Sequence, residues 1–351
     1  MRIVKTCLSG RGRKMATVSA RLILRAAVAN LLTISVLFSA AASADAEQSI
    51  VIAAGPSTGL YYSFAQAICK VVDRESKSQP VKCRVKPTDG SIENLKALRA
   101  GEFDFVLAQS DWQHHAFLGT GIFAENGPHS ELRSVFSAYD EVFTVIVGQH
   151  SGIERGTDLR GKRVNIGNPG SGHRDTVLTV LESIGWSTED FSKTAQLNPG
   201  RQINAFCRFE LDALVYVVGH PNISVKEITK RCGGRIIPIP CRGTTDTELK
   251  LLDFIEQNDP FVCTMVPAGT YDGADATIES FGTIATLVTT ASAEPDKVRI
   301  LVEAVFSNVE YLNQLHSAFE RLLPQSMVGR GNTAPLHPTA EAVYRNKNLI
   351  Q

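Results

Sequence analysis

Between residues 50 and 290 the chain alternates short apolar, β-branched runs with stretches of helical periodicity. Many of these runs end in Gly, Ser, Asn or Asp. No other feature restricts the fold as much. Parallel strands need long crossovers, and those crossovers cover the faces of the sheet with helices. Strands are expected at 50–54, 81–85, 103–108, 142–147, 163–167, 211–218, 235–239 and 282–290. Helices are expected at 61–74, at 91–99 with Ser91 as N-cap, and at 171–184, 225–231 and 247–257. A further helix should begin near Gln109-Ser110-Asp111, and helices should close the chain from Glu294 onward. The expected class is α/β, with parallel sheets and helices on both faces. At 351 residues the chain should form about two cores. Ligands of such folds gather at the carboxyl ends of the strands. That rule selects four turns, at 55–59, 109–111, 167–172 and 218–221, which would face one another if the chain forms two lobes.

The first 46 residues have a different character. Arg2, Lys5, Arg11, Arg13, Lys14, Arg21 and Arg25 precede an apolar run at 26–42, and Asp45 is the one acid. Ala42-Ser43-Ala44 and Ala44-Asp45-Ala46 both fit a small-residue cleavage site. Residues 1–46 therefore read as a cleaved export signal, with Met15 an alternative start. A membrane anchor is the competing reading, but Asn30, Thr33, Ser35 and Ser39 dilute a run already at the lower limit of a span. The remaining residues carry 29 bases against 35 acids, a net charge of −6. Such a balance argues against nucleic acid or anionic lipid as a partner. Six cysteines follow the signal, and an even number in an exported chain suggests disulfides, with 15 possible connectivities. Nearest-neighbour pairing is favoured: Cys69–Cys83, Cys207–Cys232 and Cys241–Cys263. No C-x-x-C occurs, so neither zinc-ribbon nor thioredoxin chemistry is supported.

Two turns carry chemistry. Gly55-Pro56-Ser57-Thr58-Gly59 matches the G-x-S-x-G of a hydrolase nucleophile elbow, with His220, His316 and His337 available downstream. Yet it follows the first strand, and Ser and Gly suit any tight turn onto a helix. Anion binding is the stronger reading: free N–H groups at the helix start, with the Ser57 and Thr58 hydroxyls, suit a carboxylate. Asn165-Ile166-Gly167-Asn168-Pro169-Gly170-Ser171-Gly172 repeats that geometry. Its glycines run G-x-x-G-x-G and no P-loop Lys follows, so a dinucleotide site is not supported. Asp111 and His114 are too few donors for a metal site, and no cofactor is expected.

The chain also resembles the solute-binding subunits of TRAP transporters in the TAXI branch. The resemblance rests on Gly59-Leu60-Tyr61-Tyr62, Gly101-Glu102-Phe103-Asp104-Phe105, Ala108-Gln109-Ser110-Asp111-Trp112 and Leu132-Arg133-Ser134-Val135-Phe136. It continues through the 158–167 stretch, Gly170-Ser171-Gly172, Asp212-Ala213-Leu214-Val215-Tyr216, Gly219-His220-Pro221 and Ala334-Pro335-Leu336-His337-Pro338. It implies a two-lobed periplasmic-binding-protein fold of type II, with lobe 1 from 47–138 plus 282–351 and lobe 2 from 139–281. The chain would cross between lobes near 137–142 and 281–287. The implied function is capture of a small organic anion, a glutamate-like amino acid or a 2-oxo or dicarboxylate, in the periplasm for a membrane permease. The implied protein is a monomer without enzymatic activity. Its implied contacts are Ser57, Thr58, Gly59, Tyr62, Gln109 and Ser110 from one lobe, and Asn165, Ser171, Gly172 and Tyr216 from the other. Ser63, Pro56-Ser57 and His173 depart from the family pattern, with His173 expected at the cleft rim. Cys69–Cys83 and Cys207–Cys232 fit family positions, while Cys241 and Cys263 are additions. A secreted serine hydrolase using Ser57 and a surface adhesin without a small ligand are the alternative readings.

Overall fold

In chain order the strands are β1 (Ser49–Ala53), β2 (Lys82–Lys86), β3 (Phe105–Gln109), β4 (Leu132–Val147), β5 (Arg163–Asn165), β6 (Lys193–Ala195), β7 (Ala213–Val218), β8 (Arg235–Ile237), β9 (Val262–Val266) and β10 (Ile278–Thr290). The helices are α1 (Leu60–Glu75), α2 (Ser91–Arg99), α3 (Ser110–Leu118), α4 (Gly172–Ser183), α5 (Pro199–Cys207), α6 (Ile223–Cys232) and α7 (Asp246–Gln257). After β10 come α8 (Pro295–Ser307), α9 (Val309–Leu315), α10 (Pro324–Gly329) and α11 (Pro338–Asn346). This computed structural model describes residues 49–76 and 81–351. The segment expected to be an export signal, including Cys7 and Met15, lies outside the described residues.

The strands form one sheet in the order β2-β1-β3-β10-β4-β7-β5-β6, with β8 beside β4 and β9 beside β10. The same motif occurs at both ends. β2-β1-β3 pair in parallel, and so do β6-β5-β7. Each trio then meets an antiparallel strand, β10 against β3 and β4 against β7. The sheet is therefore mixed, not parallel throughout as expected. Its antiparallel part comes from two long strands, 16 residues in β4 and 13 in β10, which run side by side through the centre. The expected strand at 142–147 is only the second half of β4.

Local chemistry accounts for these elements. All five residues of β3 are buried, as suits a strand covered on both faces. In α1, Leu60, Tyr61, Phe64, Ala65, Ile68, Val71 and Val72 are buried at helical spacing. One set of buried side chains joins β1, α1 and β3 to residues 285–344, including Phe64, Phe105, Phe136, Leu287, Phe319 and Tyr344. Another set lies entirely within 143–281, around Phe143, Val164, Val180, Trp186, Val215 and Phe281. All three nearest-neighbour disulfides are present, with Cα separations of 5.0 Å, 5.0 Å and 5.9 Å. Cys69–Cys83 ties α1 to β2, and Cys207–Cys232 ties the ends of α5 and α6.

Candidate ligand-binding site

A cavity of about 60 Å³ lies where the four turns meet. Gly55, Pro56 and Gly59 come from the turn after β1, and Gln109 from the end of β3. Asn168, Ser171 and Gly172 come from the turn after β5, and Tyr216, Val217 and Val218 from β7. Gly90 and Ser91, after β2, complete the wall with Asp89, Glu141, His173 and Pro199. The four turns singled out by the strand-end rule thus converge, because β1 and β5 each lie between two parallel neighbours where the winding reverses direction.

Four helices begin at this cavity: α1 after Gly59, α2 after Gly90, α3 after Gln109 and α4 after Ser171. In none of them does the N-cap side chain accept a hydrogen bond from the first turn. The expected N-cap role of Ser91 is corrected: Gly90 holds that position. Ser91 sits inside α2, where its Oγ accepts from the Gln109 N–H at 3.2 Å. The Ser171 Oγ donates to the Asn168 carbonyl at 2.6 Å. Two first-turn N–H groups are taken, that of Glu93 by the Gly170 carbonyl and that of Trp112 by Asp111 Oδ1, while the dipoles of all four helix starts favour negative charge.

The wall is drawn tight from both ends of the sheet. Gln109 Nε2 donates to Thr176 and to Thr283 at 3.2 Å each. Trp112 Nε1 lies 2.9 Å from the Gly172 carbonyl and 3.0 Å from Thr176 Oγ1. The Thr176 hydroxyl donates to Asp111 at 2.6 Å. Gly172 has to be glycine here, since a Cβ would overlap the Gln109 amide and the Ser91 hydroxyl. Asn94, buried in α2, holds the ends of β1 and β3 together by donating to the Ala54 and Leu107 carbonyls at 2.5 Å and 2.7 Å.

Of the site residues expected from sequence, Gly59, Gln109, Ser171, Gly172 and Tyr216 line the cavity. The other five are placed elsewhere. Ser57 and Thr58 are exposed, because the turn carries them outward before α1 begins. Tyr62 is half-buried off the cavity, and its neighbour Tyr61 occupies the wall instead. Ser110 is committed to the Pro260 carbonyl and the Ile284 N–H, at 3.1 Å and 3.0 Å. Asn165 braces the next turn through Leu197 and Gln202. The histidines required by a Ser57 hydrolase have other partners. His220 bonds Thr144 and Tyr271, while His316 and His337 accept backbone N–H groups of their own turns.

Sequence reasoning missed Glu141. This residue in β4 is buried, and Tyr61 donates to its Oε2 at 2.7 Å. Burial pushes its carboxyl up to about 8, against the lowering effect of the Tyr61 bond. The signal was present: of two adjacent acids in a strand-forming run, Asp140 and Glu141, the second lies two residues after Tyr139 and so on the same face. His173 was expected at the rim but is buried edge-on against Tyr216, with ring centroids 5.0 Å apart. Burial lowers its imidazole to about 3, and its Nε2 has no hydrogen-bond partner. Asn168 Oδ1, also on the wall, is likewise buried without a partner.

A family profile described as the NMT1-like family matches residues 52–347. Among solved structures, a protein of Bordetella bronchiseptica RB50 aligns over 86% of this chain and 98% of its own, with 13% identity and a TM-score of 0.53. The alkanesulfonate-binding protein SsuA of Xanthomonas axonopodis pv. citri aligns over 86% and 94%, with 14% identity and a TM-score of 0.44. PhnD1 of Prochlorococcus marinus, solved with methylphosphonate, aligns over 87% and 100%, with 11% identity and a TM-score of 0.47. The α/β fold of this chain, with its two reversal points in the sheet, is similar to that of the Bordetella bronchiseptica protein.

Proposed function

We propose, starting from the fact that this chain belongs to the NMT1-like family, that it is an extracytoplasmic solute-binding protein serving a membrane transporter. Its ligand is a small organic anion. The observation that carries this reading is the convergence of four helix starts without side-chain caps on one cavity. Such a site holds a carboxylate without a lysine or arginine, because backbone N–H groups supply the donors and their dipoles the positive potential. Removal of water on closure strengthens each of those bonds.

In this reading lobe 1 comprises 47–138 with 282–351, and lobe 2 comprises 139–281. β4 and β10 are the crossing strands between them. Gln109–Thr176 and Trp112–Gly172 are then contacts that hold the lobes closed. Residues 1–46 serve as the cleaved signal, the compartment is the periplasm, and the protein acts as a monomer. The motif resemblance to TAXI proteins favours the permease of a TRAP transporter as the membrane partner.

Thermal unfolding of the disulfide-intact protein against amino acids, dicarboxylates and 2-oxo acids tests this. A ligand at 100 times its dissociation constant adds about 2.7 kcal/mol, an easily seen rise in melting temperature. Tyr216→Phe should weaken that ligand by roughly 1–3 kcal/mol through loss of a buried hydroxyl facing the charge. A panel without any shift, repeated after refolding from denaturant to strip bound solute, removes the reading. A protein partner recovered in its place would favour an adhesin.

A further inference from the structure

A second cavity, of about 290 Å³, shares no lining residue with the first. It lies within the core of residues 143–281, where Phe143, Val145 and Val215 of the sheet form its floor. Val180 and Leu181 of α4, with Trp186 just beyond that helix, make another wall. The loop 238–240, which leads into the Cys241–Cys263 bridge, closes a further side. An apolar cavity of about half this volume, roughly 150 Å³, already admits benzene, and small-molecule pockets begin near about 300 Å³.

Charge enters the lining only at its exposed edge, and there it is balanced. Glu154 is paired with Arg235 at 2.7 Å. Glu248 accepts the Thr245 and Thr244 N–H groups at 3.0 Å each; these hold its carboxyl below the usual range, with a smaller contribution from Arg155. Two bases thus stand beside two acids, and an ionised ligand of either sign gains little. Thr157 and Thr247 also reach the lining, half-buried, and their hydroxyls have no hydrogen-bond partner among the described residues. A hydroxyl both donates and accepts, so this pair matches an uncharged polar group. We infer that the second cavity binds a small neutral amphiphile, its apolar body against Leu181 and Trp186 and its one hydroxyl or carbonyl at Thr157 and Thr247. This goes beyond the solute-binding reading and does not rest on it.

The test is calorimetric titration of the disulfide-intact protein with hexanol, octanol and decanol, and with decanoate and decylamine. One alcohol should bind per protein, and affinity should rise about fourfold for each methylene taken out of water. Decanoate and decylamine should bind at least about tenfold more weakly than decanol, because each must give up the hydration of its charge. Leu181→Trp fills the cavity and should abolish binding. Should that variant fail to fold, ω-bromodecanol added to the parent protein serves in its place. Its bromine should quench Trp186 fluorescence, and Trp186→Phe should lose that quenching, since the other tryptophan, Trp112, bonds the Gly172 carbonyl at the first cavity. Absence of alcohol binding, undiminished binding in Leu181→Trp, an unquenched Trp186, or decanoate binding as tightly as decanol overturns the inference. None of these results bears on the solute-binding reading, whose ligands are taken up at the first cavity.

Discussion

Glu141 and Asp111 set the pH response of the ligand-free protein. Burial holds Glu141 at about 8 and Asp111 at about 7, well above ordinary carboxyls, although Tyr61 and Thr176 donate to them. A raised acid binds more protons in the folded state, so its contribution to stability is complete below about pH 4 and is lost as pH rises through the folded value. The buried histidines act with the opposite sign. Burial lowers His173 and His220 to about 3, and it also lowers His115, His129, His316 and His337. Their contribution is complete above about pH 6.5 and is lost as pH falls. The two sets oppose each other below about pH 6.5, and above it the acids act alone. Stability should therefore decline from about pH 6.5 to 8.5, by a few kcal/mol for the pair. Urea unfolding at stepped pH measures this, and Glu141→Gln should flatten the curve; an equal decline in that variant would exclude Glu141 as its source. At this scale the sequence was half legible. Glycines and hydroxyls in the turns marked where the site lies. It could not tell Tyr61 from Tyr62, because only the rotation of α1 against β4 decides which ring reaches Glu141.

Among the elements, α4 bears most directly on the site. Its first residue, Gly172, packs against Ser91 and Gln109, and Gly90 approaches Ser171 with φ at +128°. Gly172→Ala should push α4 away from α2 and α3. We expect at least a tenfold loss of ligand affinity, with the melting temperature of the ligand-free protein little changed. Titration and thermal unfolding of the same sample separate the two effects, and unchanged affinity would show that α4 need not approach so closely. The strongly apolar elements were legible because burial on both faces writes itself into composition, as in β3 and β7. β6, β9 and α5 were not. β6 has three residues, and β9 alternates exposed with half-buried positions beside β10 before ending on the buried Val266. The start of α5 was marked by Asn198 as N-cap and Pro199 in its first turn, a signal that the periodicity reading passed over. The added bridge Cys241–Cys263 fastens β9 to the loop after β8 across 22 residues. Replacing both cysteines by Ser should cost roughly 3 kcal/mol on the chain-entropy account, measured by denaturant titration.

For the whole molecule, the lobed reading makes closure an equilibrium, and Thr176 is its central contact. Its hydroxyl meets Asp111 on α3 and is approached by both Gln109 and Trp112. Thr176→Val should shift the ligand-free protein toward open forms, seen as a larger radius of gyration in X-ray scattering that shrinks on adding ligand. Apparent affinity should fall in proportion to the closed population that is lost. Scattering identical to the parent's would show that the Thr176 contacts do not hold the halves together. The mixed centre of the sheet was the part of the architecture least legible from sequence. Apolar runs reveal that a strand exists, but not which neighbour it takes or in which direction.

That centre also dictates when the chain can finish folding. β10 lies between β3 and β4, although it comes from residues Ile278–Thr290 and its neighbours from Phe105–Gln109 and Leu132–Val147. The core around Phe64 and Phe136 is completed only by Leu287, Val305, Phe319 and Tyr344. During synthesis β3 therefore keeps an open edge, and its core stays unsealed, until the last fifth of the chain has emerged. The stretch from β5 to β7, by contrast, has its parallel partners close at hand. On the reading of residues 1–46 as an export signal, a polypeptide threaded through a channel in extended form gains from this order. The end that enters first is the end whose fold is locked last, by residues that follow it through.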